Sequence, residues 1–320
     1  MEYKRLGRTG LKVSELCMGS MNFGWTAPRE NCAPVMTAFV EAGGNFIDTA
    51  DVYSRWAPNN PGGVAEELIG AWLKTRPRDQ IILATKVRGQ MGPGPNDQGL
   101  SRKHIIAACE ASLRRLQTDY IDLYQTHWWD EHTPLDETLR ALNDLVAAGK
   151  VRYIGCSNLP AWHLVESLWT SEKRNLARYD SLQPHYNLAH RAEFEREHQA
   201  VCLKYGIGVI PYSPIAGGLF SGKYRRGVEV KEGTRGWSLR HALTEKNFTV
   251  IDKLAEIAAA RDKTALHVAL VWVMQQPAIS SPIIGVNTLE QWREMEGALG
   301  WKLSDDEVKT LNDLTRWDEG

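Results

Sequence analysis

Four side chains in the first half of the chain have the types and spacing for acid–base work. Asp48 ends the apolar run in "FIDTADVY", and Tyr53 closes the same stretch. Lys86 ends "IILATK", and His127 ends "IDLYQTH". Each is a poor choice for the interior of a buried strand, where an unpaired polar group is costly. A tyrosine with its ordinary pKa near ~10 is a weak acid at neutral pH. A lysine cation beside it favours the phenolate, and an aspartate keeps that lysine charged in a partly desolvated site. A histidine can hydrogen-bond the reacting oxygen or share its proton. Together the four could hand a proton to a carbonyl oxygen while a hydride reaches the carbonyl carbon. Singly, each has a plainer reading: Asp48 as a turn cap, Lys86 as a snorkelling strand-end lysine, His127 as a core histidine, Tyr53 as packing under a loop. Four polar groups at three consecutive strand ends are hard to explain as packing. Asp51, in the same stretch, reads as a loop residue.

Such a constellation needs elements that bring strand ends to one place. Short apolar strands alternate with amphipathic helices: "SELCMGS", "FID", "IILATK", "IDLYQTH", "VRYIGCSN", "DSLQPHYN", "IGVIPYSP" and "SPIIG" are the strand segments. Between them, Ala65, Leu68, Ile69, Trp72 and Leu73 share one helical face, as do Ile105, Ile106, Cys109, Leu113 and Leu116 from a helix opening at Ser101. Leu135, Leu139, Leu142 and Val146 form a third face, stopped by Gly149. Capping boxes are expected at Thr288 with Gln291 and at Ser304 with Glu307. Strand–helix alternation implies parallel pairing with right-handed crossovers, and eight units in 320 residues suit a closed (β/α)8 TIM barrel of the α/β class. "YKRLGRTGLKVS" reads as an N-terminal β-hairpin turned between Gly7 and Gly10, placed to plug the barrel's bottom. No linker, charge run or short repeat divides residues 1–320, so one domain is expected. A long loop follows strand seven over residues 214–245, and loops of that length are functional or disordered. On a barrel the C-terminal strand ends carry the chemistry. That is where Asp48, Lys86 and His127 fall.

Composition excludes several classes. The chain is 43% hydrophobic and 24% charged, enough for a large core, and its net charge of −1 makes no electrostatic case for nucleic acid or an anionic membrane. No apolar run approaches the ~18 residues of a membrane span, and the N-terminus has no signal-like apolar region, so a cytoplasmic location is expected. Cys17, Cys32, Cys109, Cys156 and Cys202 are odd in number and widely spaced, which fits reduced thiols rather than a disulfide framework or a metal site.

The chain resembles the aldo-keto reductase family over essentially its whole length. The resemblance is carried by "NFIDTADVY", "ILATKV", "YQTHWWD", "RYIGCSN", "LQPHYN", "IPYSPIAGGLFSGKY" and "PIIGVNTLEQW", in that order. It implies a (β/α)8 barrel binding NADP(H), or in some members NAD(H), without a Rossmann fingerprint, and neither GxGxxG after a strand nor GxxxxGK[ST] occurs here. It implies that Tyr53 is the general acid, Lys86 and Asp48 its tuning pair, and His127 the substrate-orienting group. By the same resemblance Ser157, Asn158 and Gln183 hold the nicotinamide carboxamide, and Tyr212 is the ring on which nicotinamide stacks. Ser213, Leu219 and Lys223 border the pyrophosphate, and Gly285, Asn287, Gln291 and Glu294 the adenosine end. Asn287 and Met295 depart from what NADP-preferring relatives carry, so NADPH is expected with NADH as second choice.

Trp25, Trp56, Trp128 and Trp129 follow strands one, two and four and would wall a substrate pocket, with at least one of them packing barrel to helix instead. With Arg55 and His127 such walls suit a hydroxylated aldehyde or sugar; an aromatic aldehyde or ketone fits almost as well. The expected protein is an NADP-dependent reductase of a small carbonyl substrate, able to act as a homo-oligomer. The alternative is a nicotinamide-binding regulatory subunit resembling potassium-channel β subunits. A barrel enzyme using Lys86 as a Schiff base is a third, weaker reading.

Overall fold

The computed structural model of the protein describes residues 1–228, 232 and 238–317. Strands β1 (Tyr3–Arg5) and β2 (Lys12–Ser14) pair antiparallel as the expected hairpin. Eight parallel strands follow: β3 (Cys17–Gly19), β4 (Phe46–Asp48), β5 (Ile82–Val87), β6 (Ile121–Thr126), β7 (Val151–Ser157), β8 (Tyr179–Gln183), β9 (Gly208–Val209) and β10 (Ile283–Gly285). Each pairs with its sequence neighbour, and β10 pairs with β3. The last seam, between β9 and β10, is thin. Single bridges join Val209 to Ile279 and Tyr212 to Ile283, and the Ile283 amide donates to the Pro211 carbonyl at 2.8 Å. That seam closes the (β/α)8 barrel.

The helices form where local chemistry dictates. Helix α1 spans Arg29–Glu41 and α2 spans Val64–Leu73. Helix α3 (Arg102–Leu116) starts at Ser101, whose hydroxyl accepts from the His104 amide. It buries Ile105, Cys109, Leu113 and Leu116, while Ile106 is only partly covered. Helix α4 (Leu135–Ala147) ends at Gly149 with φ 72°, a left-handed position that glycine adopts without strain. Helices α5 (Ala161–Arg174), α6 (Gln199–Tyr205), α7 (Glu245–Ala260), α8 (Ala265–Gln275), α9 (Leu289–Glu296) and α10 (Asp305–Leu314) complete the outer layer among the described residues. The Ser304–Glu307 capping box of α10 is complete. The one expected at α9 is only half made: Thr288 accepts from the Gln291 amide, but the Gln291 side chain accepts from the Asn287 amide instead. A box not read from the sequence, Thr264 with His267, opens α8.

The hairpin plugs the barrel's N-terminal end. Leu6 and Val13 are fully buried with Cys17, Phe46, Ala84, Leu123, Ile210 and Ile283, the inward residues at the bottoms of the strands. Burying a leucine of this kind contributes about 1.5–3 kcal/mol. The hairpin and the strand bottoms thus share an apolar cluster, and the Asp48–Lys86–Tyr53 group lies at the opposite mouth. The five cysteines are free and buried. Among the described residues no helix is long and apolar enough to cross a membrane. No cluster of potential metal ligands occurs among them either. Of the long loop after β9, residues 229–231 and 233–237 lie outside the described residues.

Candidate active site

Alternation along parallel strands sends every second side chain into the barrel. In β4 the last inward position is Asp48, and in β5 it is Lys86, which lies two places beyond the Asp48–Ala84 pairing. Lys86 is fully buried, and its Nζ donates to Asp48 Oδ1 at 2.5 Å, to the Thr49 carbonyl at 3.0 Å and to the Tyr53 hydroxyl at 2.8 Å. An ammonium has three hydrogens and no acceptor. All three have acceptors here, so the Tyr53 hydroxyl receives one and keeps its own proton for another group.

The second oxygen of Asp48 accepts from Gln125 Nε2 and Gln183 Nε2, both at 3.0 Å, and Gln183 Nε2 also reaches Gln125 Oε1 at 3.2 Å. Gln125 escaped the sequence reading. Its signal was available: it stands two residues before His127 in β6, a polar side chain at an inward position. Gln183 was expected at the carboxamide of a cofactor. Here both of its amide hydrogens are engaged below Tyr53, which leaves its carbonyl oxygen for other partners.

Charges at the mouth follow from burial. Burial works against the charge of Lys86, but Asp48 and Tyr53 outweigh it and hold the lysine above its ordinary range. Burial pushes Tyr53 up to about 12, with Lys86 pulling the other way and losing. The lysine therefore limits the rise instead of producing an acidic tyrosine. His127 is held well below the usual imidazole range by burial, then by the cations of Lys86 and Arg88, and is neutral. Its ring packs edge-on to Tyr53 at 5.7 Å between centroids, and its Nδ1 is buried without a partner.

Asp51 is the surprise of this stretch. It lies in the loop, as read, but is fully buried, and neither carboxylate oxygen has a partner. Burial and then the nearby Glu66 push its carboxyl well above the usual range. Glu66, also buried, is itself satisfied by Thr85 Oγ1 at 2.6 Å and Arg115 Nε at 2.7 Å.

A second chain of contacts borders the first. Ser157 Oγ donates to the Gln183 carbonyl at 2.8 Å, and Asn158 Nδ2 donates to Ser157 Oγ at 3.0 Å and to the His127 carbonyl at 3.1 Å. The Tyr212 hydroxyl donates to Asn158 Oδ1 at 3.0 Å, and the half-buried Tyr212 ring stacks on His185 at 5.1 Å. Beyond it the chain turns through Ser213, Ala216, Gly217 and Gly218, all with positive φ. A Cβ built on Gly218 would meet nothing within 4 Å, so the backbone there faces open space. Leu219 is buried and Lys223 exposed. Across the mouth Gly285 is exposed, and Asn287 accepts from Asn31 Nδ2 at 3.1 Å and Thr26 Oγ1 at 3.4 Å. Gln291 and Glu294 lie partly exposed on α9, beside the buried Met295.

A family model described as the aldo/keto reductase family matches residues 15–316. The chain belongs to the aldo/keto reductase family. Among its relatives is the uncharacterized oxidoreductase YrpG of Bacillus subtilis, 39% identical over 320 residues, covering 98% of this chain and 96% of the relative. The versiconal hemiacetal acetate reductase of Aspergillus parasiticus is 34% identical, covering 98% and 96%. Norsolorinic acid reductase A of the same species is 35% identical, covering 97% and 80%. The protein is thus an oxidoreductase of a family that reduces small carbonyl compounds, generally with NAD(P)H.

The protein frames its mouth with indoles. Trp25 and Trp56 meet edge to face at 5.6 Å, Trp56 lies 6.5 Å from Tyr53, and Trp128 stacks on His127 at 3.7 Å. All three remain exposed on one side. Trp129 instead leans on α5, against Trp162 at 5.6 Å and His163 at 4.8 Å, and is the barrel-to-helix packer among the four. Arg55, expected in the pocket, donates to Gln90 Oε1 at 3.2 Å. The residues beside Tyr212 fit a flat ring bearing a carboxamide: a part-exposed aromatic face, the Asn158 and Gln183 amides next to it, and an open glycine backbone where a diphosphate would run.

Proposed function

We propose that this chain, a single barrel domain, reduces an aldehyde or ketone to the alcohol with NADPH, NADH being the second choice, and that Tyr53 gives the proton. The observation that carries the reading is the saturation of Lys86 by Asp48, Thr49 and Tyr53, which leaves the tyrosine proton unshared within the cluster. When bound, the cofactor supplies the hydride. Tyr212 would present a flat face to its nicotinamide, with Ser157, Asn158 and Gln183 at the carboxamide. Ser213, Leu219 and Lys223 would line its pyrophosphate, and Gly285, Asn287, Gln291 and Glu294 its adenosine end.

Neutral His127 would hydrogen-bond the substrate oxygen and hold it toward the Tyr53 hydroxyl. As negative charge develops on that oxygen, the proton moves from Tyr53 to it. The resulting phenolate stays beside Lys86, whose charge Asp48 maintains, until solvent returns the proton. A pKa of about 12 keeps Tyr53 protonated at neutral pH, as a donor requires. Trp25, Trp56 and Trp128 would bracket the substrate's flat or C–H-rich part. The relatives named as reductases support the direction of reaction.

Tyr53→Phe tests the assignment, because it removes the proton, together with one acceptor of Lys86, and keeps the ring. Turnover of a carbonyl substrate should fall by roughly 10²–10⁴-fold. Quenching of tryptophan fluorescence by NADPH should titrate as in the parent. Undiminished turnover in this variant would overturn the role of Tyr53.

A further inference from the structure

Two positions past Lys86, β5 leaves the barrel through a cation that the reading above does not use. Lys86 and Val87 pair with Gln125 and Thr126, and the His127 amide donates to the Val87 carbonyl at 3.0 Å. The next step of that register sets Arg88 beside His127, one residue past the end of β5, close enough for its charge to act on the imidazole. Its φ is 125°, in a region that L side chains rarely adopt. Such strain persists only where the surroundings impose it, and it gathers at functional sites. The surroundings are visible: the Gly99 amide donates to the Arg88 carbonyl at 3.0 Å, and Gly89 lies so close to Val52 that a Cβ there would come within 2.4 Å of it.

The guanidinium is half-buried, and its Nε is buried without any partner. Among the described residues no carboxylate lies within ion-pairing distance of it. Asp130, near enough to feel its charge, accepts instead from the Leu100 amide at 2.7 Å, Thr133 Oγ1 at 2.7 Å and the His132 amide at 3.1 Å. His127 is neutral and offers no counter-charge. The other arginine of the mouth, Arg55, is already bound to Gln90. A partly desolvated guanidinium with free N–H groups is a fork shaped for a carboxylate.

We infer that Arg88 is a specificity residue that selects carbonyl substrates bearing a carboxylate, pairing with that group while the carbonyl lies against Tyr53 and His127. The indoles around the mouth point to an aromatic carbonyl acid. The inference rests on the proposed reductase reading of the same site.

The test compares 4-formylbenzoate with its methyl ester, using NADPH, in the parent, Arg88→Gln and Arg88→Lys. The parent should favour the acid in kcat/KM by about tenfold or more. Arg88→Gln should lose roughly ten- to hundredfold on the acid, chiefly through KM, while the ester changes by no more than a few-fold. Arg88→Lys, a point charge without the fork, should fall between. Equal losses on both substrates, or a parent that does not distinguish them, would overturn the inference. Benzoate and benzamide serve as a second readout that needs no turnover. Benzoate should quench the mouth tryptophans of the parent at concentrations where benzamide does not, and should fail to do so in Arg88→Gln. A parent that reduces neither these aldehydes nor any other carbonyl compound, yet binds benzoate through Arg88, would overturn the reductase reading and leave only a carboxylate site at Arg88. Benzoate binding that ignores Arg88 would do the reverse.

Discussion

Replacing Lys86 with methionine should expose how much the buried pair beneath Tyr53 matters for the fold. Methionine matches the length of the lysine stem, so the change removes three hydrogen bonds and a cation without opening a large cavity. It leaves Asp48, 1% exposed, with its Oδ1 bare and only the two glutamine amides on Oδ2. Breaking a buried pair from one side costs about 3–5 kcal/mol, because the remaining charge is uncompensated. At roughly 2.1 cal/mol/K per residue, 320 residues unfold with about 0.7 kcal/mol/K near the midpoint, so about 4 kcal/mol lowers Tm by about 6 °C. The pH dependence carries a sign. Lys86 is raised in the fold, so its contribution is complete below its unfolded pKa near ~10.4 and is lost as pH rises through the higher folded value. The gap between parent and variant should therefore stay flat from pH 6 to 9 and narrow only at strongly alkaline pH. Scanning calorimetry on Lys86→Met and on the double variant Asp48→Asn/Lys86→Met settles the cause. Removing the stranded charge should restore at least half of the lost Tm, with no return of activity. A single variant melting within about 1 °C of the parent, or a double variant no more stable than the single, refutes the reasoning.

Two further outcomes follow from the same electrostatics. His127 is depressed, so the unfolded chain takes up a proton near ~6.5 that the folded chain refuses, and stability falls as pH drops below that value. His127→Gln should remove part of the acid-side fall in Tm measured from pH 8 to 5, and an identical slope in both proteins would contradict a neutral buried imidazole. Asp51 is raised, so the fold keeps a proton that the unfolded chain releases above ~3.9, and its burial costs more as pH rises. Asp51→Asn should melt with the parent at pH 4 and above it at pH 8; a variant less stable at pH 8 would mean that the carboxyl has a partner when ionised.

Much of the site was legible because it is encoded by local rules. A strand that stops at a carboxylate, a lysine or a histidine shows itself in the order of residues, and so does a Ser101 cap or a Gly149 stop. Alternation of strands and helices was enough for a parallel barrel, and the hairpin turn between Gly7 and Gly10 was readable in the same way. These features depend on neighbours within a turn or two of chain, where backbone sterics and hydrogen-bond periodicity act directly.

The remainder depended on partners far away in sequence. Gln125 and Gln183 reach Asp48 across separations of 77 and 135 residues, and no spacing rule announces such a meeting. Trp128 and Trp129 are adjacent and chemically alike, yet one stacks on His127 and the other packs against Trp162 and His163 of α5, because the loop after β6 parts them and no sequence rule sets its path. Asp51 looked like a loop residue until the fold closed over it, and Arg88 became unusual only once Asp130 was seen to be engaged elsewhere. Tyr53 shows the division most plainly. Its type and its lysine were in the sequence, but the balance between burial and Lys86, which leaves it up at about 12, exists only in three dimensions. Residue order determined which groups could meet at the mouth. Desolvation, which only the closed barrel imposes, decided what charge each of them carries there.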